Sequence, residues 1–412
     1  MRLVQREGER RYCMLGRRQY CRAMVSSPAP PLRFAIAGMI AMAVAMGFGR
    51  FVYTPILPGM MDELGLSSAD AGLIASANYL GYLVGAIVAA GGWAHGGERA
   101  LMLGALAASA LLSALMGLSD SLPVFLLIRF LAGLASAFVM VFLTSIVFSH
   151  LAVAKRSDLQ AMHFGGVGVG IAVSSAMMAV LLAAGSHWPA GWLWSGVISA
   201  AGFAVVALLI DRGPLTVGPA RREPRLPKSA ALAKIILAYG IFGFGYIVTA
   251  TFLVAIVRQG DAGRQFEALV WLATGLAGIP SVWLWNRIAA RAGLTATFAV
   301  GCIVEAVGVT ASVAFGGFAG PLLGGVLLGG TFIAVTALGL QIGRLLAPEA
   351  PRRVLALMTA SFGVGQILGP IAAGWVAEWT GNFVAASIGA AVALLLAGGI
   401  GYDAGRKQKL GR

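Results

Sequence analysis

Twelve long apolar segments constrain this chain more than any other feature of its sequence. Each has about the 20 residues that an α-helix needs to cross a bilayer. They form two groups of six, separated by a polar stretch at 211–233 that contains four prolines. Their approximate bounds are 34–58, 69–91, 100–118, 122–147, 161–184 and 190–210, then 234–257, 267–287, 295–315, 319–343, 355–378 and 382–402. The pattern predicts an all-α integral membrane protein with twelve transmembrane helices.

The composition excludes an aqueous fold. Of the 412 residues, 59% are hydrophobic and only 11% are charged, whereas soluble domains carry about 25% charged residues. We therefore expect a basic tail (1–33), a six-helix bundle (34–210), a linker (211–233), a second bundle (234–402) and a short tail (403–412).

The placement of lysine and arginine predicts the orientation. If the N-terminus is inside, the outer loops hold only Arg258 and Arg264, and the membrane holds Arg50 and Arg129. The other 26 of the 30 basic residues then lie inside, as the positive-inside rule requires. The net charge of +14 is thus a topology signal rather than a nucleic-acid footprint. We expect a monomeric protein of the bacterial inner membrane with cytoplasmic termini; Met24 is an alternative start.

No motif for catalysis or cofactor binding stands out. Cys13, Cys21 and Cys302 form neither a metal-ligand pattern nor a disulfide framework. The glycine-rich run GGVGVGI at 165–171 lacks the spacing of a nucleotide loop, and no strand precedes it. Close contact between helices explains these glycines better. We expect no enzyme, no metal and no cofactor.

The chain repeats itself at an offset of 196 or 197 residues. The matches are GFG at 47–49 with 243–245, Gly133 with Gly330, and two glycines of HFGGVGVGI (163–171) with two of SFGVGQILG (361–369), namely Gly166 with Gly363 and Gly168 with Gly365. Two six-helix halves in the same orientation follow, and such repeats place the substrate site of transporters at their interface.

Arg50 lies within the first apolar segment, in the run GFGRFVYTPILP at 47–58. A charge at the centre of a membrane helix costs about 3 kcal/mol on insertion scales. Glycines before the arginine and prolines after it predict close packing and a bend beside a cavity. The repeat carries Tyr246 where the first copy has Arg50, so the site is predicted to be asymmetric.

In these features the chain resembles the major facilitator superfamily over about 34–402. More narrowly, GFGRFVYTPILPGM followed by GLSSADAGLIASANYLGYLVGA at 65–86 resembles the bacterial YbfB/YjiJ-type subfamily. The resemblance implies a fold of two parallel-repeat bundles, with the first, fourth, seventh and tenth helices lining a central cavity.

Two superfamily signatures are only partly present. The loop between the second and third helices reads GGWAHGGERA, with His95 near the usual acid and Arg99 retained. Arg129 and Gly133 in the fourth helix resemble the Arg-x-x-x-Gly signature. The Gly-x-x-x-Gly-Pro pattern falls in the eleventh helix, at 365–370, rather than in the fifth, so it does not indicate antiport.

Arg50 and Arg129 are the first candidates for substrate binding. Each lies about eight residues from the predicted outer end of its helix, which at 1.5 Å per residue places both roughly 12 Å below the surface. Two guanidinium groups there predict an anionic substrate. The alternative for Arg129 is a structural or proton-coupling arginine bonded to backbone carbonyls.

Other intramembrane polar residues are weaker candidates. Ligand contact and helix–helix hydrogen bonding both remain open for them. The predicted substrate-binding set also includes Tyr53, Asn78, Tyr246 and Thr249; the further polar residues are Thr54, Tyr79, Gln341 and Gln366. Glu305 is the only carboxylate deep in an apolar segment, and a lone buried acid is a natural proton carrier, although its helix is expected at the periphery. His163 is a second candidate for proton coupling, or an interfacial histidine.

The sequence predicts a secondary active transporter that works by alternating access. We favour proton-linked movement of a small organic anion or polar metabolite. Two alternatives remain: a multidrug-type exporter of apolar compounds, and a membrane sensor or assembly factor that transports nothing.

Overall fold

The computed structural model describes residues 30–91, 93–94, 96–211, 213–214, 223–260 and 263–410, with side chains to 405. Twelve membrane-length helices occur in this part of the chain, and the predicted fold class is confirmed. They are α1 (Pro31–Leu64), α2 (Ser68–Ala89), α3 (Glu98–Met116), α4 (Leu122–Val153), α5 (Gln160–Ala183), α6 (Trp188–Leu209), α7 (Ala230–Gln259), α8 (Arg264–Ala292), α9 (Leu294–Ala314), α10 (Ala319–Leu346), α11 (Pro351–Thr380) and α12 (Val384–Leu410).

Several helices extend past their predicted bounds, by up to eight residues where α12 ends at Leu410 rather than near 402. The first helix continues past Pro58 to Leu64, and Gly65 then ends it with a left-handed φ of 65°. A proline removes one backbone donor, but this helix tolerates Pro58 in its interior. The seventh helix begins at Ala230, so the last four residues of the predicted linker are helical.

Carboxylate groups bond to backbone amides at the N-terminal ends of α2 and α11. The Ser67 hydroxyl accepts from the Asp70 amide at 3.1 Å, and the Asp70 carboxylate accepts from the Ser67 amide at 3.1 Å, which is a capping box. At α11, the Glu223 carboxylate accepts from the amides of Arg352 and Arg353, both at 3.0 Å. A negative group at a helix N-terminus is favourable, and Glu223 thereby attaches the central polar stretch to α11.

Close packing at glycine joins the helices around α1 and α5. A Cβ atom on Gly47 would overlap the backbone of Gly170, and one on Gly166 would overlap the Met39 carbonyl. On another face of α5, a Cβ on Gly168 would lie 2.6 Å from the amide nitrogen of Ile279 in α8. The glycine-rich run therefore serves helix contacts, as predicted.

We call α1–α6 the N-half and α7–α12 the C-half. The side of the membrane where α1 begins and α12 ends is the near side, and the opposite side is the far side. Hydrogen bonds between the halves in the described residues lie in the middle or far-side parts of the helices. They are Thr54 to the Ala250 carbonyl (2.6 Å), Ser76 to the Ile367 carbonyl (2.8 Å), Tyr79 with Thr251 (3.3 Å), Ser175 to the Ala268 carbonyl (2.5 Å), the Ala69 amide to Glu378 (3.2 Å), Gln265 to the Ala179 carbonyl (3.4 Å) and Arg258 with Asp62.

Arg258 organises the far-side end of this contact. It forms an ion pair with Asp62 of α1, and its Nε and Nη2 donate to the Glu267 carboxylate of α8 at 2.7 and 2.6 Å. The Glu267 side chain is only 4% exposed, so its charge needs this guanidinium. A single arginine thus ties α1, α7 and α8 together.

Candidate functional site

The centre of α1 is a π-helix rather than the predicted simple bend. Residues Ala43–Phe51 are π-helical, between α-helical parts at Pro31–Met42 and Tyr53–Leu64. In a π-helix the carbonyl of residue i accepts from the amide of i+5. Pro55 has no N–H to give, so it cannot serve the carbonyl of Arg50, five residues before it, in a π-helix, or that of Phe51, four residues before it, in an α-helix. The sequence therefore leaves a buried carbonyl in need of another donor.

Arg129 of α4 supplies donors at this point. Its Nη1 donates to the Gly49 carbonyl and its Nη2 to the Arg50 carbonyl, both at 3.1 Å. The guanidinium also lies 5.2 Å from the ring centre of Tyr53 and 5.8 Å from that of Trp192. These contacts correspond to the alternative interpretation, a structural arginine bonded to backbone carbonyls. Its contact with substrate stays a prediction.

The depth predicted for Arg50, counted in residues from the outer end of its helix, was wrong. The helix α1 ends 14 residues after Arg50 rather than about eight. Arg129 lies seven residues after the start of α4. The two residues nevertheless meet at one level, since the Arg129 guanidinium bonds to the Arg50 backbone.

The Arg50 side chain is buried and makes no hydrogen bond to any described residue. It is 3% exposed, and its Nε and Nη2 make no hydrogen bond. Its guanidinium carbon lies 4.5 Å from the ring centre of Tyr79, 4.7 Å from that of Tyr82 and 5.7 Å from that of Phe51. Cation–π contacts of this kind contribute about 0.5–2 kcal/mol, less than a buried charge requires. The donor edge of Arg50 is thus without an acceptor in the part of the chain that the structure describes.

An aromatic cluster of the C-half adjoins this arginine. The Phe51 ring is 5.6 Å from Phe332 of α10. Phe332 is stacked on Tyr246 of α7 at 5.8 Å and 9°, and Tyr246 on Phe362 of α11 at 5.6 Å and 11°. We call Tyr246, Phe332 and Phe362 the aromatic cluster. It brings three helices of the C-half against the helix that carries Arg50.

The other predicted binding residues are buried and mostly hydrogen bonded. The Tyr53 hydroxyl donates to the Ala71 carbonyl at 2.8 Å, and the Asn78 Nδ2 to the Arg129 carbonyl at 3.0 Å. Gln366 donates to the Tyr246 hydroxyl. The Thr249 hydroxyl and the Asn78 Oδ1 have no partner. The structure therefore leaves spare polar groups on α2 and α7.

Gln341 lies apart from this centre. Its amide donates to Asn286 of α8 at 3.3 Å, in an exposed pair near the near-side ends of α8 and α10. The contact is between helices, as its alternative interpretation predicted.

Glu305 of α9 is fully buried and has one recorded partner. Its Oε2 lies 3.0 Å from the Thr331 hydroxyl of α10, which also lies 2.7 Å from the Leu327 carbonyl, while its Oε1 has no partner among the described residues. Thr331 directly precedes Phe332 of the aromatic cluster. The Glu305 carboxyl group is therefore linked to the aromatic cluster through two adjacent residues of α10, Thr331 and Phe332.

His163 is buried, three residues after the near-side start of α5, and faces α4. Its Nε2 lies 3.1 Å from the Thr144 hydroxyl, and its Nδ1 has no partner. The rings of Phe148 and Phe164 pack on it edge-on at 5.4 and 5.1 Å. No carboxylate of the described residues bonds to this histidine, so its link to proton coupling rests on the sequence alone.

The retained arginine of the GGWAHGGERA signature, Arg99, lies in the first turn of α3 and bonds to the end of α6. Arg99 donates to the Ile210 and Ala207 carbonyls at 2.8 and 2.9 Å. It therefore satisfies carbonyls at the end of α6. His95 lies outside the described residues, as do Cys13 and Cys21, while Cys302 is buried in α9.

Sequence reasoning missed Tyr82 and the two phenylalanines of the aromatic cluster. Tyr82 had a readable signal, since it follows Tyr79 by three residues and so shares its helix face. Phe332 and Phe362 had none, because they resemble any other apolar membrane residue. No group of three or more His, Cys, Asp or Glu side chains forms a possible metal site in the described chain.

The family model for the uncharacterised MFS-type transporter YbfB matches residues 42–402 of this chain. The chain belongs to this family of major facilitator superfamily (MFS) transporters. It is therefore a multi-pass membrane protein of a bacterial transporter family, and the resemblance read from the first two helices is confirmed.

Similar proteins agree with this assignment. The uncharacterized MFS-type transporter YceJ of Bacillus subtilis (strain 168) is 24% identical over 375 residues, which cover 85% of this chain and 91% of YceJ. A crystal structure of the nucleoside transporter NupG matches with a TM-score of 0.67 at 14% identity, over 90% of this chain and 98% of the other. A bacterial homolog of the human lysosomal transporter Spinster, inward-facing and occupied, gives 0.69 at 12%, over 92% and 98%. At such identities the structures support the fold alone.

Proposed function

We propose that this family member is a secondary active transporter that moves a small organic anion across the bacterial cytoplasmic membrane. The observation that carries this proposal is Arg50, a buried arginine whose Nε and Nη2 have no partner. An unpaired charge in low dielectric is costly, and intramembrane charges of this kind mark substrate pathways. A bound anion would offset that cost at the interface of the two repeats.

Alternating access is supported by where the halves meet. Their hydrogen bonds in the described chain lie in the middle and far-side parts, and Arg258 with Asp62 adds an ion pair there. If the near side is cytoplasmic, as the lysines and arginines indicate, this arrangement is closed to the outside. Transport then requires these far-side bonds to break while others form on the near side.

Arg50→Gln tests the proposal directly. We expect it to lower binding of the transported anion by at least about 30-fold, because removing one partner of a buried charge pair costs about 2–5 kcal/mol or more. Folding should persist, since Arg50 makes no side-chain hydrogen bond. The measurement is flux of candidate anions into proteoliposomes that contain the purified protein. Arg287→Gln is a matched control, because Arg287 is also stacked on an aromatic ring, that of Trp283 at 3.9 Å, near the near-side end of α8. An anion flux that Arg50→Gln leaves unchanged would rule out the assigned role.

We further propose that Glu305 links transport to protons. Its one hydrogen-bond partner in the described chain, Thr331, lies on the helix that carries Phe332. A change in the charge of Glu305 would therefore act on α10 rather than on the substrate. Glu305→Gln is expected to abolish accumulation driven by a pH gradient while exchange of substrate without a gradient continues. The two assays, run on the same vesicles, separate coupling from binding. Accumulation by Glu305→Gln at the parent's level would exclude this residue as the proton carrier.

The aromatic cluster also favours a second candidate, export of apolar compounds. A neutral apolar substrate would need the stacked rings but not the Arg50 charge. Flux of such a compound that survives Arg50→Gln and is lost in Phe332→Leu would support the exporter. Absence of flux for every ligand that raises the melting temperature would instead support a sensor that moves nothing.

A further inference from the structure

The donor edge of Arg50 suits one shape of anion. Nε and Nη2 point from the same edge of the planar guanidinium group, and both are buried without a partner. Tyr79 and Tyr82 pack against the same group at 4.5 and 4.7 Å. Two parallel N–H donors in one plane match the two oxygens of a carboxylate. This edge therefore favours a planar anionic group.

The charge available at the site favours a monoanion. Arg129, the nearest other cation, already donates both terminal nitrogens to the carbonyls of Gly49 and Arg50. A phosphate monoester carries about 1.5–2 negative charges at neutral pH, more than one guanidinium balances. A carboxylate brings one charge and leaves no oxygen without a donor.

The rest of the site is flat and aromatic. Phe332 and Phe362 lie within 11° of parallel to Tyr246, at centroid distances of 5.8 and 5.6 Å. Phe51, next to Arg50 in the chain, contacts Phe332 at 5.6 Å. An aromatic ring held between Arg50 and this cluster would meet aromatic faces and edges. Such contacts between aromatic rings stabilise more than the burial of their area alone.

We propose that the substrate class is a planar aromatic monocarboxylate, bound by the Nε and Nη2 of Arg50 and stacked on the aromatic cluster. This inference rests on the proposed anion transport and names the substrate class of that same site. It adds Phe332, Phe362 and Tyr82 as residues that determine specificity.

The test compares benzoate with two ligands, one that differs from it in the aromaticity of the ring and one that differs in the anionic group. Benzoate, cyclohexanecarboxylate and phenylphosphate are titrated into the purified full-length protein by isothermal calorimetry. We expect saturable binding of benzoate, about 2- to 13-fold tighter than cyclohexanecarboxylate because ring stacking is worth about 0.5–1.5 kcal/mol. Phenylphosphate should bind more weakly than benzoate.

Two variants locate the two parts of the site. Arg50→Lys keeps the charge and loses the paired donors, so benzoate should bind at least about 10-fold more weakly. Phe332→Leu should weaken benzoate by about 3- to 10-fold and change cyclohexanecarboxylate by less than about 2-fold. Arg287→Gln should change neither ligand. Thermal unfolding of each variant shows whether it is folded before its titration is interpreted.

The outcomes distinguish a failure of the proposed substrate class from a failure of the proposed anion transport. Binding of phenylphosphate or cyclohexanecarboxylate as tightly as benzoate, lost in Arg50→Gln, would overturn the substrate class and leave anion binding intact. Benzoate binding that survives Arg50→Gln would overturn both. Absence of saturable benzoate binding would overturn the substrate class, and the flux assay with other anions would then decide the function.

Discussion

Arg129→Met is expected to lower the free energy of unfolding by about 3 kcal/mol, since two buried hydrogen bonds from a charged donor are lost and each is worth about 1.5–3 kcal/mol. The carbonyls of Gly49 and Arg50 would remain in an apolar environment without these donors. Pro55, five residues after Arg50, has no N–H to replace them. Methionine keeps most of the volume of arginine, so the effect reports on the polar contacts. The measurement is thermal unfolding in detergent, followed by the fluorescence of the nine tryptophans.

Arg50→Met is the matched control for this experiment. It removes an arginine at the same level of the membrane whose side chain has cation–π contacts and no hydrogen bond. Its loss in stability should be smaller by about 2 kcal/mol, or even reversed, because an unpaired buried charge disappears. Equal destabilisation by the two substitutions would contradict the structural role of Arg129.

Gly133→Ala is expected to disrupt the contact between α4 and α2. The added methyl group would overlap the Asn78 carbonyl and lie 2.8 Å from the Tyr82 amide nitrogen. Both clashes are with backbone, so the helices must separate, and overpacking of this kind typically costs about 1–3 kcal/mol. Separation would also weaken the bond from Asn78 to the Arg129 carbonyl and shift Tyr79 and Tyr82 away from Arg50. We expect a lower melting temperature together with weaker anion binding.

The internal repeat offers the control for this substitution. Gly330 is the equivalent of Gly133 in the C-half, and a Cβ atom there would meet nothing within 4 Å. Gly330→Ala should therefore match the parent in melting temperature and in yield of monodisperse protein. If Gly330→Ala were as disruptive as Gly133→Ala, close helix packing would not explain the effect.

The twelve helices, the family and the position of Arg50 within the membrane could all be predicted from the sequence. These follow from strong local signals: long apolar segments, a charge within one of them, and glycines at one repeat spacing. The glycines of α5 were also interpreted correctly, since their contacts with α1 and α8 are what small residues permit.

The centre of the site was harder to predict, because it depends on hydrogen-bond register and on packing between distant segments. A π-helix differs from an α-helix by one residue per bond, and the apolar pattern of α1 is the same for both. The bonds from Arg129 to α1 and the stacking of Phe332 on Tyr246 join residues about 80 positions apart. Pro55, five residues after Arg50, was the one local sign that a carbonyl there needed an outside donor.

The halves of this protein are also joined at positions that the repeat makes equivalent. Thr54 donates to Ala250, and Asp62 pairs with Arg258; each pair is 196 residues apart, the offset of the GFG repeat. Equivalent positions meet where a two-fold axis passes, and in a symmetric dimer a residue on that axis faces its own copy. Two identical halves would set aspartate against aspartate, or arginine against arginine, at this point. The ion pair of Asp62 with Arg258 therefore depends on the divergence of the two halves, and a homodimer of either half alone would lose it.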